Sequence, residues 1–314
     1  MYNEFEQILL RRKKMEKIIL EGYQNQSFFV ESYEINQPKA VVILVHGVAE
    51  CASRYQQVAT ILNQAGMNVY IADHIGHGQN VEASALGHWE KGDFDGCIFN
   101  VHVLYQQKRK VFPTLPFFLL GHSMGSFMAQ KYQYLYPNQF QGIILTGCAK
   151  ADALFKFGHL FSSLMAMFHK KTTRMPIIDR LSFGAFNKKF RPNQTNCDWL
   201  CKDKEICQWY QDTPYVGFVG TAGFYQEFYK NVSKIPNRKY KHVIDQDQPL
   251  LLLGGKEDMV SNRGKKLKKL ARFYQKQSNQ VQYYLFDHLR HEIFNEPEKQ
   301  EVFDILIPWM EEHF

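Results

Sequence analysis

The stretch FFLLGHSMGSF, residues 117–127, decides the fold. Its first four residues read as a buried strand, and MGSFMAQKYQYLYP from 124 onward reads as a helix. Between them stands G-H-S-M-G, with Gly121 and Gly125 two positions either side of Ser123. A turn this tight strains its central residue and leaves no room for a Cβ against the neighbouring strand and helix. Three fixed positions arise by chance in about one chain in ten of this length, so the junction gives the pattern its weight. The start of the helix also favours negative charge developing nearby. Ser123 is the candidate nucleophile, and the amide of Met124 a candidate donor to an oxyanion.

Working outward, strand-like and helix-like runs alternate, as in a mostly parallel, doubly wound sheet. AVVILVHG (40–47) is a buried strand, RYQQVATILNQAG (54–66) a helix and MNVYIAD (67–73) the next strand. FDGCIFNVHVLYQQKRK reads as a helix and FQGIILTGC as a strand. The loop after the first long strand, VHGVAE, turns at His46-Gly47 and offers the amide of Val48 as a second oxyanion donor. After IILTG (143–147) the alternation stops for about a hundred residues, far more than a simple crossover needs. This stretch is rich in Phe, Met and Trp and largely helical in pattern. We read residues 1–150 and 236–314 as two parts of one α/β core, and 151–235 as a helical cap inserted between them. In LFKFGHLFSSLMAMFHK the apolar spacing fits core packing and a lipid-facing surface equally well.

A serine hydroxyl needs a base, and the base an orienting carboxylate. Asp258 follows the strand PLLLLGG by a few residues, with Glu257 its immediate rival. Asp245 and Asp247 precede that strand, at the wrong edge of the sheet. FDHLRHEIFNE, after the strand QVQYYLF, offers His288 and His291, the second deeper in the loop. The stretch alone leaves a metal pair, ordinary loop residues and a general base all open.

The assembled motifs resemble the monoacylglycerol lipase and lysophospholipase branch of the α/β-hydrolase family, which includes serine aminopeptidase S33-type hydrolases. HGVAECASRY is similar to the branch's HG-x-x-E-H-x-x-RY stretch, and ADHIGHGQN to its D-x-R-G-H-G-x-S loop. GHSMGS, GGKEDMV and LRHEIFNE match its elbow, acid loop and histidine loop, and DWLCKDKEICQWYQDTPYVGF a segment after its lid. The resemblance covers roughly residues 25–312. Cys51, Ile75 and Asn80 depart from it, none at a position it makes catalytic. It implies hydrolysis of a carboxylic ester with an apolar acyl chain, with Ser123 attacking, His291 shuttling the proton and Asp258 holding the imidazole. His288 then remains a loop residue near the pocket rim. No cofactor or metal is implied, and the substrate is a small lipid or other ester. An amide or thioester hydrolase on the same residues is the nearest alternative. A non-catalytic binding protein of the same fold is a more distant one, since such proteins typically lose one of the three residues.

Bulk properties agree with this class. The chain has 314 residues, 45% hydrophobic and 22% charged, enough for an ample core. No apolar run approaches the ~20 residues that span a bilayer. The N-terminus lacks the apolar core of a signal peptide, so a cytoplasmic protein is expected. Six cysteines read as free thiols: Cys51, Cys97 and Cys148 are single, and Cys197, Cys201 and Cys207 cluster without zinc spacing. His74, His77 and His88 lack carboxylates at ligand spacing and are given a structural reading. The net charge of +7 comes mainly from short clusters at 11–14, 237–242 and 265–269. No nucleic-acid-binding motif accompanies them, so nucleic acid is not an expected partner. The cap and these basic patches leave room for transient contact with a membrane surface. Oligomeric state is not legible.

Overall fold

The apolar runs become the middle of one sheet. The computed structural model describes residues 15–236 and 247–314. The basic clusters at 11–14 and 237–242, and Asp245, lie outside the described residues. The strands are β1 (Glu16–Glu21), β2 (Ser27–Tyr33), β3 (Ala40–Val45), β4 (Met67–Ala72), β5 (Phe117–His122), β6 (Gly142–Thr146), β7 (Leu250–Gly255) and β8 (Val281–Phe286). They line up as β1-β2-β4-β3-β5-β6-β7-β8. From β4 to β8 every pairing is parallel, while β2 runs antiparallel to both β1 and β4. This is the α/β-hydrolase fold.

Every residue of β3 to β7 is buried, because helices cover both faces of the sheet. On one face lie α2 (Asp93–Val111), α3 (Met124–Leu135) and α9 (Lys265–Tyr274). On the other lie α1 (Gln56–Gln64) and α10 (Gln300–Glu311). The basic helix α9 buries Leu267, Leu270, Phe273 and Tyr274 and turns its lysines outward, an amphipathic helix over a core stripe. The hairpin of β1 and β2 has no counterpart in the sequence reading. EKIILE is an edge strand with charged ends and exposed positions, and its apolar run is only three residues long.

Between β6 and β7 the chain forms α4 (Ala153–Phe168), α5 (Pro176–Ser182), α6 (Gly184–Asn187), α7 (Lys204–Asp212) and α8 (Ala222–Val232). Helix α4 is apolar on two sides. Phe155, Phe161 and Met165 pack toward the core, and Gly158 lies against the Tyr229 ring. Leu154, Phe157, Leu160, Leu164, Met167 and Phe168 face outward and are exposed, with Ile177 and Leu181 of α5. Thus the stretch that fitted both packing and exposure does both. Among the described residues, no helix is long and apolar enough to cross a membrane.

Candidate active site

The turn from β5 to α3 holds Ser123 at φ 51° and ψ −116°, a left-handed conformation that L-residues rarely adopt. Ser123 N–H donates to Thr146 O on β6 at 2.9 Å, and Ser126 Oγ donates to Ser123 O at 2.6 Å, pinning the strained residue from both sides. The flanking glycines are required sterically. A Cβ on Gly125 would stand 2.0 Å from Val45 O, and one on Gly121 2.5 Å from Gly125 O. Since both obstacles are backbone, Gly125→Ala is expected to cost at least about 1–3 kcal/mol. An unchanged urea midpoint for that variant would contradict this account of the turn.

His291 approaches from the loop after β8. Its Nε2 lies 2.9 Å from Ser123 Oγ and its Nδ1 3.0 Å from Asp258 Oδ1. Asp258 sits past β7, fully buried, and also accepts from the amides of Val260 (2.8 Å) and Ser261 (3.3 Å). Burial pushes its carboxyl up, but His291 and these donors outweigh that and hold it below the usual range. Burial alone would lower His291, yet Asp258, with help from Glu292 and Glu50, leaves its imidazole above the ordinary value. A Ser-His-Asp chain of this geometry can take a proton from the hydroxyl and return it to a leaving group. Glu257 points elsewhere, its carboxylate 3.7 Å from Arg290 Nε.

His288 does not reach this place. It is exposed and lines a separate hollow with Phe286, Asp287 and Glu298. That corrects the expectation of a position near the pocket rim. Two residues beyond β8 the side chain still lies in this outer hollow, whereas the loop reaches Ser123 only at His291.

Val48 lies in the loop after β3, which folds over Ser123 so closely that a Cβ on Gly47 would stand 3.1 Å from Ser123 Cβ. Ala49 takes a positive φ of 54° to make that turn. The Val48 and Met124 amides have no acceptor within the described residues. Met124 begins α3, where a helix leaves its first N–H groups unpaired.

A buried ion cluster joins this loop to the histidine loop. Arg54 donates to both oxygens of Glu292 at 2.7 Å and to Glu50 Oε2 at 2.7 Å. Glu50 also accepts from Tyr55 Oη at 2.8 Å and from the Gly47 amide. The Arg54 side chain is 2% exposed, and the centre of the Tyr210 ring lies 4.8 Å from its guanidinium carbon. The neighbouring histidines buttress the same loop: His74 N–H donates to His46 Nε2 at 3.1 Å, and Asp73 accepts from Ala52 N–H at 2.8 Å. Burial lowers His46, His74 and His77 and keeps them neutral. His88 lies apart from them, beside Thr221 and Glu90.

Ser123 and His291 open into a cavity of about 690 Å³. Trp199, Leu200, Val216 and Phe218 supply apolar walls, while Asp179 and Arg180 of α5 also line it. Trp199 stacks on the His291 ring at 5.3 Å between centroids. The family described as serine aminopeptidase, S33, matches residues 36–298. The chain belongs to that family. This S33 hydrolase is 27% identical over 280 residues to a monoacylglycerol lipase of Mycolicibacterium smegmatis, covering 88% of this chain and 89% of the relative. It is 26% identical to phospholipase YtpA of Bacillus subtilis, covering 87% and 95%. A carboxyl esterase of Bacillus coagulans, solved with glycerol, superposes with a TM-score of 0.86 at 21% identity, covering 95% of this chain and 98% of that one. The S33 hydrolase shares that protein's fold and is, in kind, a serine hydrolase.

The sequence reading missed the partners of Arg54 and the placement of Trp199 against the base. The Arg-Tyr pair at 54–55 marked Arg54 as part of a motif, but nothing local points to Glu292.

Proposed function

We propose that this protein hydrolyses carboxylic esters with an apolar acyl chain, of the monoacylglycerol or lysophospholipid kind. Ser123 Oγ attacks the ester carbonyl while His291 Nε2 takes its proton and Asp258 holds the ring. The tetrahedral oxyanion is received by the amides of Val48 and Met124. His291 then protonates the departing alcohol, and water, activated by the same imidazole, releases the acid from Ser123. The observation that carries the reading is the run Asp258–His291–Ser123 opening onto a cavity walled in part by Phe183, Trp199, Leu200, Val216 and Phe218. The lipase and phospholipase names of relatives matched over nearly their whole length support the ester over the amide. Profiling on p-nitrophenyl esters of rising chain length, then on monoacylglycerol and lysophospholipid, tests it. A preference for acetyl esters or aminoacyl amides would overturn it.

Because His291 must be neutral to accept the proton and its pKa is raised above 6.5, kcat/KM is expected to rise with pH along one limb. The midpoint of that limb should lie above 6.5, and a midpoint clearly below it would refute the assignment.

Residues 151–235 act in this reading as a cap that meets the lipid surface. The exposed apolar faces of α4 and α5 support it, since eight large apolar side chains there are left in solvent. Replacing Leu160, Leu164 and Met167 with serine is expected to reduce hydrolysis of vesicle-borne monoacylglycerol while sparing a water-soluble butyryl ester. Equal losses on both substrates would argue against surface contact.

A further inference from the structure

The chemistry above makes no use of Cys197, Cys201 and Cys207, although they form the tightest group of nucleophilic side chains outside the site. All three are free and buried, in a small cluster completed by Leu200 and the partly buried Trp199, Ile206 and Tyr210. Cys201 Sγ and Cys207 Sγ lie 3.8 Å apart. Cys207 Sγ is also 3.5 Å from Cys201 O, and Cys197 Sγ donates to Cys207 O at 3.3 Å. Two sulfurs in contact need to approach by only about 2 Å to reach bonding distance. The neighbouring Cys197 and Cys201 side chains pull Cys207 below the ordinary thiol range, against burial and the nearby Glu292. Cys201, the partner, holds its proton more firmly than a free thiol. The other three cysteines, also free, are pushed upward by burial.

The cluster borders the active-site cavity and has a mechanical output. Cys197 lines the cavity that holds Ser123, with Cys201 and Cys207 buried, so a small oxidant must pass the Cys197 side chain to reach the pair. On its other side the same segment clasps the histidine loop. Arg290 Nη1 donates to Asp198 O at 2.5 Å and Cys201 O at 3.1 Å, and Glu292 N–H donates to Leu200 O at 2.7 Å. Glu296 accepts from Lys202 N–H at 2.9 Å and Arg290 N–H at 2.6 Å. Trp199, between two of these cysteines, lies on the His291 ring.

We propose that Cys201 and Cys207 are a peroxide-oxidisable pair whose disulfide disables the Ser123 site by dragging the 197–202 segment off the histidine loop. The Cys207 thiolate attacks one oxygen of hydrogen peroxide, giving a sulfenic acid and hydroxide, which is protonated to water. The Cys201 thiol then attacks Cys207 Sγ, forming the S–S bond and expelling a second water. Two thiols are oxidised and one peroxide reduced to two waters, with no further reactant. Closure moves Trp199 and the carbonyls that hold Arg290. Misplacement of a base by about 1 Å is enough to cost up to about a hundredfold in rate.

The inference rests on the proposed esterase reading only for its output, so bond and output are read separately. The full chain is treated with hydrogen peroxide, its remaining thiols are alkylated, and the peptides are mapped by mass. A Cys201–Cys207 bridge is expected, with ester hydrolysis and fluorophosphonate labelling of Ser123 both falling about tenfold or more and returning with a dithiol reductant. Cys201→Ala and Cys207→Ala are expected to keep their own untreated rates through the same exposure. Alkylation of both thiols after peroxide, a bridge to a different cysteine, or a Cys201–Cys207 bridge with undiminished labelling would each overturn the proposal. Mass and labelling do not depend on the ester chosen, so a wrong substrate class leaves this result intact.

Discussion

Replacing His291 with alanine is expected to lower ester turnover by about 10⁵- to 10⁶-fold, while His288→Ala stays close to the parent. The difference follows from position. His291 is the ring that reaches both Ser123 Oγ and Asp258 Oδ1, whereas His288 is exposed in a separate hollow. Ser123→Ala should fall as far, and combining it with His291→Ala should cost little more, because the residues act as one unit. Steady-state rates on a short p-nitrophenyl ester, with urea midpoints to show that the variants fold, check the claim. If His288→Ala were the inactive variant, the assignment of the base would be reversed.

The largest loss of stability is expected from Arg54→Met. It leaves Glu50 and Glu292 buried with no cation between them, and breaking a buried pair in this way costs about 3–5 kcal/mol. In the parent, burial opposes charge on both carboxyls, yet Arg54 holds Glu292 down at about 2, while Glu50 stays raised. Glu292 therefore contributes stability that is present above its unfolded pKa and fades as pH falls toward 2. Glu50 has the opposite sign, favouring the folded state at lower pH. Removing Arg54 raises both folded pKa values, so the penalty should be full at neutral pH and shrink on mild acidification as the carboxyls protonate. Arg54→Met/Glu292→Gln should recover part of the loss at pH 7. Urea midpoints at pH 7 and pH 5 test this, and an equal deficit at both would mean that the guanidinium acts by packing rather than charge.

How much of this was legible depended on distance along the chain. The strand-turn-helix around Ser123 was readable because its constraint is local, two glycines that keep a Cβ off the backbone. The parallel strands were readable because burial on both faces writes them as unbroken apolar runs. Asp258 stands past the carboxyl end of one such strand and fell into view with it, whereas β8 ahead of His291 is largely exposed, and the family resemblance singled out His291 over His288. Arg54 and Glu292 are 238 residues apart, and no periodicity connects them. The edge strand β1 was hidden because its three apolar residues sit between charged ends, and its partner β2 was left unread with it. For α4, spacing reports that a side chain is apolar and says nothing of whether protein or solvent covers it. Only the packing of Phe155 inward and Leu160 outward separates its two faces.

The site also has a date in the life of each molecule. Ser123 meets its base 168 residues later in the chain, and that base follows the last strand of the sheet. During synthesis the nucleophile, the first loop and the whole helical insertion leave the ribosome well before residue 291 exists. A nascent chain can therefore fold much of its sheet and display an apolar surface while Ser123 remains an ordinary alcohol. Under the proposed mechanism hydrolytic power waits on the histidine loop, so a nascent chain stopped short of residue 291 would carry Ser123 without a base.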